Sequence, residues 1–244
     1  IWEERGAKGW SWDDVLPYFK KVEKDTDFQG PFHGNDGNIP VSRIFPDIWN
    51  GHAKASASAF EEAGFKYLED QNGKFEDGYF PVTGSFIYER RVSAAMGYLT
   101  QGIRNRKNLT IMTESFVKEI LFDGKKCIGV KVRIEGKDKK FFAKEIILSS
   151  GAIHSPAHLL RAGIGPAMDL KDKGINILKN LGGVGQRLMD HPSINIASFI
   201  KPEARINEYS RRHLLVGMRY SSGLKNIPKG DMYVAVCSKT VSYT

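Results

Sequence analysis

Apolar residues near the start of the chain recur at the spacing of an α-helix. This pattern predicts a helix within residues 9–25. Ser11 suits the N-cap, and Asp14, three positions on, completes a capping box. Pro17 lies inside the pattern and indicates that the first turn is a separate piece. The predicted buried stripe comprises Trp12, Val15, Leu16, Phe19 and Val22.

Two further helices are predicted in the first half of the chain. The first covers residues 54–63 and is closed by Gly64, a residue that favours helix ends. The second covers residues 93–105. Residues 28–51 and 67–86, which are rich in Gly and Pro, are predicted to be loops. The inward positions of the later helix are Ala94, Ala95, Tyr98 and Leu99.

The middle of the chain changes to the period of a β-strand. A strand-like run over residues 110–122 ends at Asp123-Gly124, a dipeptide typical of hairpin turns. Apolar and polar residues then alternate over residues 128–134, which predicts a half-buried strand. After a second turn, residues 141–149 end in the continuous apolar run Ile146-Ile147-Leu148. Such a run predicts a strand covered on both faces, as in a parallel sheet.

Small residues follow this predicted strand, which allows a ligand to approach the backbone closely. Ser155 suits a helix cap and Pro156 the first helical position, so a short helix is predicted over residues 157–162. Gly163 ends that helix. A helix start beside a strand end presents free N–H groups and positive potential, which suits phosphates.

The composition is that of an ordinary globular protein. The 244 residues are 41% hydrophobic and 26% charged, which excludes a disordered chain, and two cysteines exclude a disulfide scaffold. No apolar run approaches the roughly 18 to 20 residues of a membrane span. The net charge of +8 is dispersed, so solvated turns are favoured over a nucleic-acid surface. A basic binding module remains an alternative.

Several motifs that suggest cofactor or metal binding lack the residue spacing that such sites require. The two later glycine clusters lack the third glycine of a dinucleotide fingerprint and are interpreted as turns. His154 and His158 have Pro156 between them, so no metal site is predicted. Asp190 and His191 precede a proline, and a buried pair of this kind would hold the imidazole in one tautomer. Composition alone favours the alternative, a loop histidine whose hydrogen bond is satisfied by its neighbour. These residues alone do not name a reaction.

Five sequence blocks occur in a fixed order along the chain. They are Gly9-Trp10-Ser11-Trp12-Asp13-Asp14-Val15-Leu16-Pro17-Tyr18-Phe19; Arg91-Val92-Ser93 with Tyr98-Leu99; Asn108-Leu109-Thr110; Gly151-Ala152-Ile153-His154-Ser155-Pro156 with Gly163-Ile164-Gly165-Pro166; and Leu181 to Pro192, which contains Asp190-His191-Pro192. Taken together, these blocks resemble the glucose–methanol–choline (GMC) flavoprotein oxidoreductases. Two departures are Ala162, where the family usually has serine, and Arg187, where it usually has asparagine.

The resemblance implies FAD as cofactor and a reaction in which a hydride passes from an alcohol carbon to the flavin. It places Val117 at the adenine through its backbone and Ser150-Gly151 beside the cofactor. The family's Gly-x-Gly-x-x-Gly unit is expected before Ile1 and its catalytic histidine beyond Thr244. The chain is therefore expected to be an internal fragment without a catalytic residue. A relative that keeps the fold without catalysis is the alternative.

The resemblance also implies an α+β or α/β organisation. Residues 1–92 are expected to pack on the FAD domain, and residues 93–192 to supply its β-meander, returning parallel strand and helix. Residues 193–244 are expected to begin an antiparallel substrate domain, with strands at 193–199 and 232–241.

Candidate substrate-site residues are Asp190, His191 and Ser193. Choline-oxidising relatives tend to have glutamate where Ser193 stands, so an uncharged or anionic alcohol is expected rather than choline. The electron acceptor stays open among oxygen, a quinone and a dye-like carrier. The location stays open between the cytoplasm and a membrane periphery.

Overall fold

The computed structural model describes residues 2–88, 90–206 and 212–238. The chain divides into two compact units, which are treated separately below. Unit 1 comprises Ile1–Leu109 and Ala197–Thr244, and unit 2 comprises Thr110–Ile196. The boundaries expected after residues 92 and 192 stay predictions, because they concern the domains of a whole enzyme rather than the contacts within this chain.

Helices and strands both occur in each unit. Within the described residues the α-helices are Trp12–Val22 (α1), Gly51–Glu62 (α2), Ala94–Tyr98 (α3), Gln101–Arg104 (α4), Gly151–Arg161 (α5) and Ala167–Asp172 (α6). The strands are Glu23–Asp25 (β1), Ile39–Val41 (β2), Gly78–Pro81 (β3), Phe86–Ile87 (β4), Arg90–Arg91 (β5), Phe116–Asp123 (β6), Lys126–Ile134 (β7), Lys137–Phe142 (β8), Ile164–Gly165 (β9), Lys179–Asn180 (β10), Leu214–Tyr220 (β11) and Met232–Cys237 (β12).

An antiparallel sheet of β12, β11 and β3 organises the core of unit 1, with β11 in the middle. Helix α2 packs against β11 through small residues such as Ala53, which is fully buried. The prediction of a loop over residues 67–86 is wrong, because β3 lies there and all four of its residues are buried. A strand this short is stabilised by pairing with β11, which is distant in sequence, so local composition gives little sign of it.

Helix α1 confirms the predicted capping box. The Ser11 hydroxyl accepts from Asp14 N at 3.2 Å, and the Asp14 carboxylate accepts from Ser11 N at 3.1 Å. Pro17 lies inside one continuous helix, so the predicted separate first turn is wrong. The buried stripe is also wrong: no residue of α1 is buried, and Phe19 is 62% exposed. A helical period shows which face is apolar but not what covers it.

The other two predicted helices are partly confirmed. Helix α2 ends as predicted before Gly64, but it begins at Gly51, and the side chain of the N-cap residue Asn50 accepts a hydrogen bond from Ala53 N at 2.9 Å. Residues 93–105 form two short helices interrupted at Thr100 rather than one. Three of the four residues expected to face inward, Ala94, Ala95 and Tyr98, are exposed, and Leu99 is half-buried.

Unit 2 contains the predicted β-meander of β6, β7 and β8. The hairpin at Asp123-Gly124 is confirmed, with Asp123 opposite Lys126. At the second turn, Glu135 and Gly136 both have positive φ (49° and 75°), which suits the right-handed twist of the two strands it joins. Residues 110–115 were predicted to belong to the first strand, but β6 begins only at Phe116.

The predicted buried strand before α5 is not formed. Residues 143–150 have no strand pairing among the described residues, and Ile147 is 81% exposed. A central parallel strand needs a neighbour on each side, and none of the described strands supplies one. The returning parallel strand is therefore absent from this structure.

Helix α5 is longer than the sequence indicates. It begins at Gly151 rather than after Ser155, and it keeps Pro156 inside. Ser155 does not cap the helix end as predicted. Instead its hydroxyl accepts a hydrogen bond from Ser150 N at 2.9 Å. Gly163, with φ of 80°, ends the helix as expected.

The two strands expected for the substrate domain have different outcomes. Residues 193–199 form no strand, and Ile194 and Ile196 are more than 90% exposed (92% and 94%), so that prediction is wrong. The second is confirmed as β12, which pairs with β11. Residues 239–241 of that prediction lie outside the described residues. An apolar run needs a pairing partner as well as β propensity, and residues 232–237 have one.

Candidate functional site

The three residues expected to bind the cofactor all lie in unit 2. Val117 is half-buried on β6 and lies opposite Val132 of β7. Ser150 is the N-cap residue of α5, and Gly151 is its first helical residue. Because α5 packs beside β6, the unit brings these two elements together.

The start of α5 fits part of a nucleotide cofactor. Residues 150–153 are exposed, and the first N–H groups of a helix have no backbone partner within the helix. Of these residues, Ser150 uses its N–H to donate to the Ser155 hydroxyl. Gly151 has φ of 82°, and no atom lies within 4 Å of the position that a Cβ would occupy. This bare, electropositive backbone suits a phosphate or a carbonyl oxygen of FAD. The sequence signal for it was the run of small residues.

The three candidate substrate-site residues lie in an exposed segment without regular structure. Asp190 Oδ1 accepts a hydrogen bond from the backbone N of His191 at 2.8 Å. The buried Asp–His pair considered from the sequence is therefore not formed, because the carboxylate contacts the backbone rather than the imidazole. Ser193 is exposed as well. Their roles at a substrate stay predictions.

The two glycine clusters meet at one cleft of unit 2, which the sequence analysis missed. The backbone N of Leu181 donates to Gly165 O at 2.8 Å, and β9 pairs with β10, so the clusters lie side by side. Gln186 Nε2 donates to Asp169 Oδ2 at 3.3 Å across the cleft. The cleft has a volume of about 660 Å³ and is lined by Pro166, Asp169, Gly182, Gly183, Gln186 and Arg187.

The histidines considered for zinc do not form a site with each other. His158 is buried, and its Nδ1 lies 2.8 Å from the guanidinium of Arg161. Burial lowers the pKa of His158, and the positive charges of Arg161 and His154 lower it further. The His158 imidazole therefore contacts an arginine of its own helix rather than a second metal ligand.

A second feature that the sequence analysis missed is a buried charge network in unit 1. The Arg43 guanidinium is completely buried and lies 2.9 Å from Asp25 and 2.8 Å from Asp70. Burial acts to raise the pKa of Asp25, but backbone hydrogen bonds from Phe28 and Asp27, together with Arg43, outweigh it and lower that pKa. His33 lies between Asp25 and Asp70. The charged residues lie on the three-residue strand β1 and on loops, so no long periodic signal marks them.

Residues 1–193 match the sequence profile of the family described as GMC oxidoreductase. The chain belongs to the GMC oxidoreductase family. The resemblance seen in the sequence is thereby confirmed, and with it FAD as the cofactor of the family and a mixed fold of helices and sheets. None of the described helices is long and apolar enough to cross a membrane.

Three relatives show how much of such an enzyme the chain represents. A 5-(hydroxymethyl)furfural oxidase of Methylovorus is 41% identical over 99% of this chain and 46% of its own length. An oxygen-dependent choline dehydrogenase of Brucella anthropi is 36% identical over 80% of this chain and 35% of its own. The crystal structure of pyridoxine 4-oxidase from Mesorbium loti has a TM-score of 0.66 and 33% identity, and the match covers 72% of this chain and 34% of that one. The chain therefore spans less than half the length of these relatives.

Proposed function

We propose that the whole protein oxidises uncharged primary alcohols with FAD, and that its substrates carry a hydroxymethyl group on an aromatic ring. The observation that carries this proposal is the 41% identity to the 5-(hydroxymethyl)furfural oxidase, which extends over 99% of the chain. Pyridoxine 4-oxidase, also similar, acts on a ring-bearing substrate by its name. Both names describe substrates without a quaternary ammonium group.

The residues of this chain contribute cofactor binding rather than acid–base chemistry. The exposed N–H group of Gly151 and the backbone of Val117 would hold FAD, with Ser150 beside the cofactor. FAD supplies, when bound, an acceptor for the hydride that leaves the alcohol carbon. The alcohol becomes an aldehyde as its hydroxyl proton passes to a base. No residue of this chain is assigned as that base.

Choline is the competing substrate, because a choline dehydrogenase is also similar to this chain. A quaternary ammonium buried without a counter-charge loses much solvation energy, and aromatic faces return only about 0.5 to 2 kcal/mol of it. The position after Asp190-His191-Pro192 is Ser193, which is short and neutral. This residue favours a neutral alcohol.

Oxygen is the proposed electron acceptor, since one relative is named an oxidase and another oxygen-dependent. The two electrons taken from each alcohol would then reduce O₂ to H₂O₂. Peroxide formed in equal amount to aldehyde under air would support this acceptor. Turnover with a quinone or a dye but not with air would show that such a carrier, and not oxygen, is the electron acceptor.

Steady-state kinetics on the full-length enzyme tests the substrate. We expect kcat/KM for 5-(hydroxymethyl)furfural and benzyl alcohol to exceed that for choline by at least about tenfold. Ser193→Glu should raise the choline value relative to the neutral alcohols. Ser58→Glu is the matched control, because it adds the same charge at an exposed position of α2. A higher kcat/KM for choline in the wild type would refute the proposed substrate class.

Flavin content tests the cofactor residues separately. Gly151→Ala and Gly124→Ala place a Cβ at positive φ in open space, so the two substitutions carry similar backbone strain. We expect only Gly151→Ala to lower the amount of FAD that co-purifies with the protein. Equal amounts of FAD in the two variants would show that Gly151 does not belong to the cofactor site. Retained flavin without turnover of any alcohol would favour the non-catalytic relative.

A further inference from the structure

The buried network of unit 1 contains three possible ligand atoms that face one another. They belong to Glu23, Asp25 and His33, and all three lie within 4.8 Å of one another. His33 Nδ1 is 3.0 Å from Asp25 Oδ2 and 3.4 Å from Glu23 Oε1. The His33 side chain is 5% exposed and that of Asp25 is 0% exposed. The group is called the Glu23–Asp25–His33 cluster below.

The opposite side of the imidazole fixes its tautomer. His33 Nε2 lies 2.9 Å from Asp70 Oδ2, so this nitrogen carries the proton and donates to the carboxylate. Asp70 is itself held by Arg43, whose NH2 donates to its other oxygen at 2.8 Å. In a neutral imidazole the lone pair is then on Nδ1. A carboxylate that accepts from the distal nitrogen is the arrangement found behind histidines that bind metals.

The Nδ1 atom is buried and has no hydrogen-bond partner. The oxygens of Asp25 and Glu23 are near it but lie off the direction in which an N–H would point, since neither meets hydrogen-bond geometry. Donor atoms bound to one ion with bonds of about 2.1 Å lie roughly 3.0 to 3.4 Å apart in octahedral or tetrahedral sites. The two separations from Nδ1, 3.0 and 3.4 Å, match that range.

The charges around the cluster are unbalanced. The carboxylates of Glu23, Asp25, Asp27 and Asp70 surround His33 and the single guanidinium of Arg43, which leaves a net charge of −3 with a neutral imidazole. Buried charge without compensation is costly. The surplus of negative charge favours a cation at the Nδ1 side.

We propose that the Glu23–Asp25–His33 cluster binds a divalent transition-metal ion, with Zn²⁺ as its best fit. An imidazole nitrogen beside two carboxylates suits Zn²⁺, whereas Mg²⁺ and Ca²⁺ prefer oxygen ligands alone. The ion joins β1, which carries Glu23 and Asp25, to the loop that carries His33. Its role is structural, as a link between two segments of unit 1.

Zn²⁺ titration of the flavin-loaded, full-length enzyme tests this site after dialysis against a chelator. We expect the wild type to bind one equivalent that Glu23→Gln and His33→Asn bind at least about tenfold more weakly. Glu23→Gln is the gentler variant, because its amide oxygen can still accept from Gly34 N, which is 3.1 Å from Glu23 Oε1. Zn²⁺ should also raise the Tm of the wild type more than that of Glu23→Gln.

Glu62→Gln is the matched control, since it removes an exposed carboxylate at the end of α2 and should leave the titration unchanged. Equal Zn²⁺ affinity and stoichiometry in the wild type and Glu23→Gln would overturn the proposal. The proposal would also be overturned if the wild type takes up no Zn²⁺ at neutral pH and NMR shows protons on both ring nitrogens of His33. In that case an imidazolium, rather than an ion, balances the carboxylates.

Discussion

The two units of the chain bury their apolar side chains to very different extents. Unit 1 has a contiguous core that includes Val216, which is 0% exposed, and Phe80 of the same unit is also 0% exposed. Among the described residues of unit 2, the buried apolar side chains are Val132 and Leu170, whereas Phe116 and Phe142 are each about two-thirds exposed (66% and 67%). The contrast shows that unit 2 buries few apolar side chains within this chain. Its apolar surface is available to a cofactor or to other parts of the whole enzyme.

Charged side chains follow the same division. In unit 1, Arg43 is completely buried between carboxylates. In unit 2, Asp138 accepts from Lys118 at 2.9 Å and from Arg133 at 3.0 Å, and all three side chains are substantially in contact with solvent. Solvent therefore weakens the ion pairs of Asp138, whereas the ion pairs of the buried Arg43 are shielded from solvent.

Truncation of one phenylalanine in each unit should give the largest difference. Phe80→Ala leaves a cavity in the core of unit 1 and should lower the free energy of unfolding by about 3 to 5 kcal/mol. Phe142→Ala on β8 should cost within about 0.5 kcal/mol, because its ring is mostly exposed in this chain. Urea unfolding of the two variants measures both values. Similar costs in the full-length enzyme would show that other parts of that enzyme cover β8.

Removal of one guanidinium in each unit is the next comparison. Arg43→Met leaves Asp25 and Asp70 without their partner and should cost about 3 to 5 kcal/mol. Arg133→Met removes an exposed ion pair and should cost about 0 to 1 kcal/mol. A chelator is included, so that a metal bound at the Glu23–Asp25–His33 cluster does not contribute. Equal losses would contradict the difference in burial.

The smallest expected effect is the change in stability that acid causes through Asp138 of unit 2. Hydrogen bonds from Lys118 and then Arg133 lower the pKa of Asp138 from its usual 3.8. A carboxyl whose pKa is lower in the folded state stabilises the protein above about pH 3.8, and this contribution is lost as the pH falls further. The Tm difference between the wild type and Asp138→Asn should therefore be small at pH 7 and should shrink as the pH falls below about 3.8. Asp123→Asn at the hairpin turn serves as the control, and a pH-independent difference would exclude the ion pair.

Local signals in the sequence predicted the elements that depend on local chemistry. The Ser11–Asp14 capping box and the hairpin at Asp123-Gly124 are examples, since each is decided by residues within one turn. Strand β3 was missed, and Ile146–Leu148 was wrongly predicted as a buried strand, because pairing across long sequence distances decides both. The same holds for the Glu23–Asp25–His33 cluster, in which His33, from a loop, meets two residues of the short strand β1.

The burial of Arg219 has a consequence for the order in which the chain folds. Its guanidinium group donates to the carbonyl oxygens of Gln71, Lys74 and Glu76, the last of these 143 residues earlier in the chain. Strand β11, which carries it, also pairs with β3. During synthesis, residues 71–81 must therefore wait until β11 has left the ribosome, whereas the meander of unit 2 can form from neighbouring residues first. Unit 1 is therefore completed only after unit 2 has been synthesised, so chaperone binding to nascent chains should be strongest in this interval.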